Sequence, residues 1–123
     1  MNGLTLAYIG DAYYELEIRK YLITEGYRKV NDLHNMAVKF TKAVSQAKII
    51  NYFIDNNFLS EEEISIFKRG RNNSSSGRKN VLAKDYVLST GFESLIGHLY
   101  LNDKSRADEL IKISISFILD GVM

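Results

Sequence analysis

The sequence predicts an all-α fold of about five main helices, and three observations carry that expectation. Apolar residues recur at helical spacing through most of the chain. No segment sustains the period-two alternation a sheet requires, although Ile111 to Ile118 alternates briefly. Proline is absent, so nothing forces a helix to break and the stops must come from glycine and polar clusters. The 123 residues fit one domain, taken as 1–123, large enough to bury a core and too short for two independent ones. Hydrophobic residues at 46% and charged residues at 25% belong to a globular chain, not a disordered one.

The first helix is expected from about Leu4 to Thr24, with Gly26 as its stop. Leu4, Ala7, Tyr8, Asp11, Ala12 and Glu15 follow helical spacing along neighbouring faces, which sets acids into an apolar stripe. A buried unpaired carboxylate is costly, so Asp11 needs a reason to be there. The second helix takes Asn31 or Asp32 as N-cap and carries Leu33, Met36, Ala37, Phe40, Ala43, Val44, Ala47, Ile50 and Ile54 to an end near Asn56 and Asn57. Lys39, Lys42 and Lys48 fall on its solvated face.

Ser60-Glu61-Glu62-Glu63 matches a capping box, with Leu59 and Ile64 as the hydrophobic staple. The short third helix that starts there turns Ile64 and Phe67 inward and stops at Gly70. Arg71 to Asn80 hold no apolar side chain and read as an exposed loop long enough to be functional. A fourth helix is expected from about Ala83 to Leu101 and a last one from about Ser105 to Leu119, joined by a turn at Asn102-Asp103.

Composition narrows the chemistry. Without cysteine there is no disulfide, no thiolate metal ligand and no cysteine nucleophile, which suits a reducing compartment; the expected location is the cytoplasm. Apolar runs are interrupted well short of the roughly 20 residues that cross a bilayer, and no signal peptide is visible, so no membrane role is expected. Met1 to Leu4 lead almost directly into the first motif, so a short natural extension ahead of it is expected. The formal net charge of +1 means that any affinity for nucleic acid must come from a local concentration of Lys and Arg.

Two acids stand out beside glycines: Asp11 after Ile9-Gly10, and Glu93 within Thr90-Gly91-Phe92-Glu93-Ser94-Leu95-Ile96-Gly97. Glycine inside a helix is disfavoured by about 1 kcal/mol relative to alanine, so Gly10, Gly91 and Gly97 imply close approach of another helix or a ligand. Carboxylate oxygens suit magnesium, which keeps several waters and is held by one or two protein acids together with substrate phosphate. The plain alternative for each acid is a surface ion pair; Glu15 is placed to pair with Arg19 at i, i+4.

Lys68, Arg69, Arg71, Arg78, Lys79 and Lys84 form a basic stretch that lacks acids until Asp85. Such an arm suits duplex RNA, which is recognised through phosphates, 2′-hydroxyls and A-form shape. His34 and His98 stand alone, without the spacing of a metal pair. Tyr8, Tyr13, Tyr14 and Tyr21 crowd the first helix, where packing with a satisfied hydroxyl is their default use.

Leu6-Ala7-Tyr8-Ile9-Gly10-Asp11-Ala12 resembles the ribonuclease III signature, and Thr90 to Gly97 resembles that family's second acidic segment. The likeness extends to Asn31-Asp32-Leu33-His34, Ser45-Gln46-Ala47, Lys68-Arg69-Gly70-Arg71-Asn72 and Ser89-Thr90, and is closest to the Mini-ribonuclease III subgroup, which lacks the separate double-stranded-RNA-binding domain. The resemblance implies an α-helical endonuclease domain, a homodimer and Mg2+ dependence. It also implies cleavage of both strands of double-stranded RNA to 5′-phosphate and 3′-hydroxyl ends, in maturation of the 23S ribosomal RNA precursor. Asp11 then takes the signature acid and Glu93 the metal-binding glutamate, with the signature helix at the two-fold axis and Tyr8 in the dimer interface. Longer family members carry further acids where this chain has Leu4, Ala7 and Thr90, a reduction the subgroup shares; one or two ions remain open. The leading alternative is a dimeric protein of the same fold that grips structured RNA without cutting it, and a more distant one is a small helical hydrolase of nucleotides or other phosphate esters.

Overall fold

Asn2 opens the first helix by accepting a hydrogen bond from the Thr5 amide at 2.8 Å. The computed structural model describes residues 1–74 and 81–122. Among the described residues there are six helices and no strand: α1 (Gly3–Thr24), α2 (Val30–Thr41), α3 (Ala43–Asp55), α4 (Glu61–Asn73), α5 (Val81–Asn102) and α6 (Lys104–Val122).

Three ends form as the sequence indicates. Gly26 closes α1 at φ 105°, with its own amide on the Ile23 carbonyl and the Tyr27 amide on the Leu22 carbonyl, which satisfies two orphan oxygens. Asn57, at φ 57°, ends α3 in the same way with Phe58 donating to Phe53. Ser60 and Glu63 form the reciprocal capping box of α4, at 3.1 Å and 2.9 Å.

The expected single helix, capped by Asn31 or Asp32 and ending near Asn56 and Asn57, is corrected: Asn31 and Asp32 lie inside a helix that starts at Val30 with Lys29 as N-cap. It breaks at Lys42, whose ψ of 153° is extended, so that this residue is at once the C-cap of α2 and the N-cap of α3. The break needs no glycine because side chains replace the lost backbone bonds. Ser45 Oγ donates to the Lys39 carbonyl at 2.7 Å and Gln46 Nε2 to the Thr41 carbonyl at 3.1 Å. A second correction concerns Gly70, which is buried inside α4 rather than ending it. A Cβ there would lie 2.1 Å from Ser94 Oγ, so this glycine lets α4 close against α5. Arg71, Asn72 and Asn73, expected in a loop, are therefore helical; of the rest of that expected loop, residues 75–80 lie outside the described residues.

α5 lies at the centre, with α1, α3, α4 and α6 packed on it. Its Phe92, Leu95 and Ile96 are fully buried among Tyr14, Ile18, Ile49, Phe53 and Phe67. A helix apolar on most faces is one meant for the interior. Tyr14 donates its hydroxyl to the Phe40 carbonyl at 2.9 Å, which meets the expected need of a buried phenol.

α6 is fastened by Arg106. Its guanidinium takes both oxygens of Glu63, at 2.8 Å and 2.9 Å, and reaches Glu109 and the Phe58 carbonyl. The Arg106 guanidinium holds the Glu63 carboxyl below the usual carboxylate range, against the opposing effect of burial. Because Glu63 also caps α4, Arg106→Met is expected to lower stability by about 2 kcal/mol in urea unfolding at neutral pH. The depressed acid contributes stability above its unfolded pKa, and that contribution is lost as pH falls through the lower folded value. The gap between wild type and Arg106→Met should accordingly begin to narrow as pH falls below about 4.5 and go on narrowing as the pH falls further; a gap that does not narrow on acidification would assign the loss to packing.

A carboxylate pair at a glycine crossing

α1 and α5 cross with their backbones in contact. A Cβ on Gly10 would stand 1.8 Å from the Glu93 carbonyl oxygen, and one on Gly97 would stand 1.9 Å from the Leu6 carbonyl oxygen. Only glycine permits this approach, which meets the expectation that Gly10 and Gly97 face another helix. Asp11 follows Gly10, so the crossing that brings Gly10 onto the Glu93 backbone also brings the two carboxyl groups together.

Their proximity registers electrostatically. The Glu93 carboxyl is pushed up to about 8, first by burial, then by the charge and contact of Asp11, with a smaller contribution from Glu15; the Gln46 amide opposes these. Asp11 is exposed and Glu93 partly buried, so the pair has one wall in the protein and one opening to solvent. Glu15 pairs with Arg19 at 3.1 Å, as its spacing indicates.

The third participant, Gln46, was not singled out as a site residue by sequence reasoning. Its Nε2 lies 3.4 Å from Glu93 Oε2, and its Oε1 is buried without a hydrogen-bond partner. The signal available in the sequence was the polar run Ser45-Gln46 inside an otherwise apolar face. Two carboxylates and one unpaired amide oxygen are all hard donors, the set that magnesium prefers, and a divalent cation would relieve the repulsion between the acids. Among the described residues no group of three or more His, Cys, Asp and Glu is arranged for a metal.

Leu4, Ala7 and Thr90 carry no acid in the site. Ala7 is buried, Leu4 is exposed, and Thr90 donates its hydroxyl to the Tyr86 carbonyl at 3.0 Å. His34 is exposed, while His98 sits 3.7 Å from Glu62. Of the basic residues, Lys68, Arg69 and Lys84 are exposed. Arg69 donates to the Met1 carbonyl at 3.3 Å, and Arg71 lies over the Phe67 ring at 5.5 Å. Arg78 and Lys79 lie outside the described residues. Gly70, between Arg69 and Arg71, abuts Ser94 and Gly91, so the basic end of α4 is seated on α5 next to the turn that carries Glu93. Tyr8 is 83% exposed and continues a line of exposed apolar residues on α1 with Leu4 and Leu16.

Residues 4–104 match the family model of the Ribonuclease III domain. A Mini-ribonuclease 3 of Acholeplasma laidlawii is 54% identical over 121 residues, covering 98% of this chain and 97% of that protein. The Mini-ribonuclease 3 of Clostridium tetani is 47% identical over 121 residues, covering 94% and 78%. A crystal structure of a Fusobacterium nucleatum protein superposes with a TM-score of 0.80 at 35% identity, covering 100% of this chain and 95% of the other. The chain belongs to the ribonuclease III family, with relatives named Mini-ribonuclease 3 over nearly its whole length, and is an endoribonuclease of that type.

Proposed function

We propose that residues 1–123 form one catalytic unit that cuts both strands of double-stranded RNA as a Mg2+-dependent homodimer. Asp11 and Glu93 are the acids that hold the ion, and the substrate is the 23S ribosomal RNA precursor in the cytoplasm. The observation that carries this reading is the meeting of exposed Asp11 with the partly buried Glu93, two acids that repel each other, at the Gly10–Gly97 crossing. A family whose members act on duplex RNA, together with this acid pair, favours cutting over the binding-only alternative.

When bound, the ion neutralises phosphodiester charge and makes a nearby water easier to deprotonate. The protein's share is placement. Glu93 is fixed on the innermost helix and Asp11 opens to solvent, so a phosphate can approach from Asp11's side while the Glu93 side stays shielded from bulk water. Lys68, Arg69, Arg71 and Lys84, with Arg78 and Lys79, supply positive charge for neighbouring phosphates. No helix among the described residues is long and apolar enough to cross a membrane.

Pairing through α1 would bury the Leu4–Tyr8–Leu16 line in an isologous contact and give each strand of one duplex its own acid pair. Tyr8→Lys is therefore expected to shift the protein to monomers in sedimentation velocity and to turn paired cuts into slow single nicks; a dimer unchanged by that substitution would move the interface elsewhere.

The deciding assay is end-mapped cleavage of duplex RNA with Mg2+ by wild type and Asp11→Asn. Equal cutting by both would end the site assignment. Replacing Arg69 and Arg71 with alanine should raise KM about 10-fold with kcat changed less, and should flatten the salt dependence of binding by about one unit of slope per lost phosphate contact. A fall confined to kcat would place these arginines at the reacting phosphate instead.

A further inference from the structure

We propose that Gln46 is a positioning residue for Glu93, fixing the rotation of its carboxylate and offering a buried acceptor beside the ion site. The inference rests on the reading of Asp11 and Glu93 as the ion-holding pair. Gln46 is 1% exposed, on the first turn of α3, and its amide is used asymmetrically. One donor atom, Nε2, spans two acceptors, the Thr41 carbonyl at 3.1 Å and Glu93 Oε2 at 3.4 Å. The oxygen, Oε1, has no partner.

The break between α2 and α3 explains how the amide is anchored. In an uninterrupted helix the Thr41 carbonyl would accept the Ser45 amide; here that amide goes to the Lys42 carbonyl at 3.0 Å, which leaves Thr41 free for Gln46. With one N–H held there, the other points at Glu93 along a fixed line. Gln46 thus brings a neutral donor to a carboxylate whose other polar neighbour, Asp11, is itself an acid. A donor on Oε2 sets the plane of the carboxyl group and leaves its second oxygen to the opening it shares with Asp11.

A capping role alone does not account for the arrangement. Capping α2 requires one N–H on Thr41, which an asparagine or serine could supply from nearby, without a second contact on α5 and without a buried oxygen left unpaired. Unpaired buried acceptors are rare because they lose hydration and gain nothing, and where they persist they point to a ligand or an ordered water. The free oxygen leaves Gln46 with an acceptor for an ordered water, on the same amide that holds Glu93.

The test uses Gln46→Met, which keeps length and volume without either polar end, and Gln46→Asn, which keeps the amide but falls short of Glu93. Each is melted in rising MgCl2 without RNA, relative to its own metal-free melting temperature, and then assayed on duplex RNA. Orienting groups behind a metal ligand typically contribute 10–100-fold to affinity or activity. The concentration of Mg2+ giving half the thermal shift should therefore rise about 10–100-fold in both variants. The value of kcat should fall by a similar factor, with KM for RNA within about twofold, and should recover as Mg2+ is raised. A variant that melts lower but keeps the wild-type Mg2+ midpoint would show a structural role only and overturn the proposal. Asp11→Asn, run alongside, separates the two failures. If it also keeps the Mg2+ response, the acid pair is not the ion site; if it loses the response while Gln46→Met keeps it, only the assignment of Gln46 falls.

Discussion

Glu93→Gln is expected to lower kcat on duplex RNA by about 10³-fold while making the metal-free protein harder to melt. The two effects have one cause. Burial, then Asp11, raises the Glu93 carboxyl to about 8, so between its unfolded value near 4.5 and about 8 the folded state holds a proton that the unfolded state releases. Stability of the wild type therefore declines as pH rises through that window and levels off above it. Glutamine cannot ionise, so the variant escapes the decline. Its advantage should be absent at pH 4, grow through pH 6 to 7, and reach about 1–2 kcal/mol by pH 8, a figure discounted for partial exposure. Adding Mg2+ should reverse the order, since an ion that binds only the folded wild type stabilises it by mass action. Urea unfolding across pH, with and without Mg2+, reads both signs. A variant no more stable than wild type at pH 8 without metal would mean that Glu93 is not held against Asp11.

Much of this was legible in the residues because local chemistry and packing agree. The capping box at Ser60, the glycine stop at Gly26 and the Asn56-Asn57 end are short-range signals that need no tertiary context, and all three operate. Asp11 and Glu93 were marked out by their glycines, and the close helix contact that glycines allow is the same feature that joins them. What the sequence withheld depends on contacts between elements. The break at Lys42 is invisible to periodicity because α2 and α3 keep their apolar faces in phase, and the residues that compensate for it, Ser45 and Gln46, look like ordinary polar helix residues. Gly70 imitates a stop because a glycine after a helical run usually is one; here its missing side chain serves packing against Ser94. Arg106 escaped notice since its value lies in a carboxylate 43 positions earlier.

Gly10→Ala is expected to unfold or nearly unfold the protein, although alanine is the better helix former. In an isolated helix the change would gain about 1 kcal/mol. Here the added methyl would overlap the Glu93 carbonyl oxygen at 1.8 Å and the Gly97 amide nitrogen at 2.7 Å, both backbone atoms that no rotamer change can move. Relief requires the α1 and α5 axes to separate, which loosens Tyr14, Ile18, Phe92 and Ile96 together, since all belong to the one core cluster. A loss of about 3–5 kcal/mol follows from overpacking of this kind, a large part of the roughly 5–15 kcal/mol that a domain typically has. Gly121→Ala supplies the contrast: a methyl added there would meet nothing within 4 Å, so its urea midpoint should stay within about 0.5 kcal/mol of wild type. Where Gly10→Ala can be kept folded at low temperature, its Mg2+ response should weaken as well, because the separation that accommodates the methyl also draws Asp11 from Glu93. A Gly10→Ala protein with wild-type stability would mean that the helices do not touch there, and the acid pair would lose the contact that brings it together.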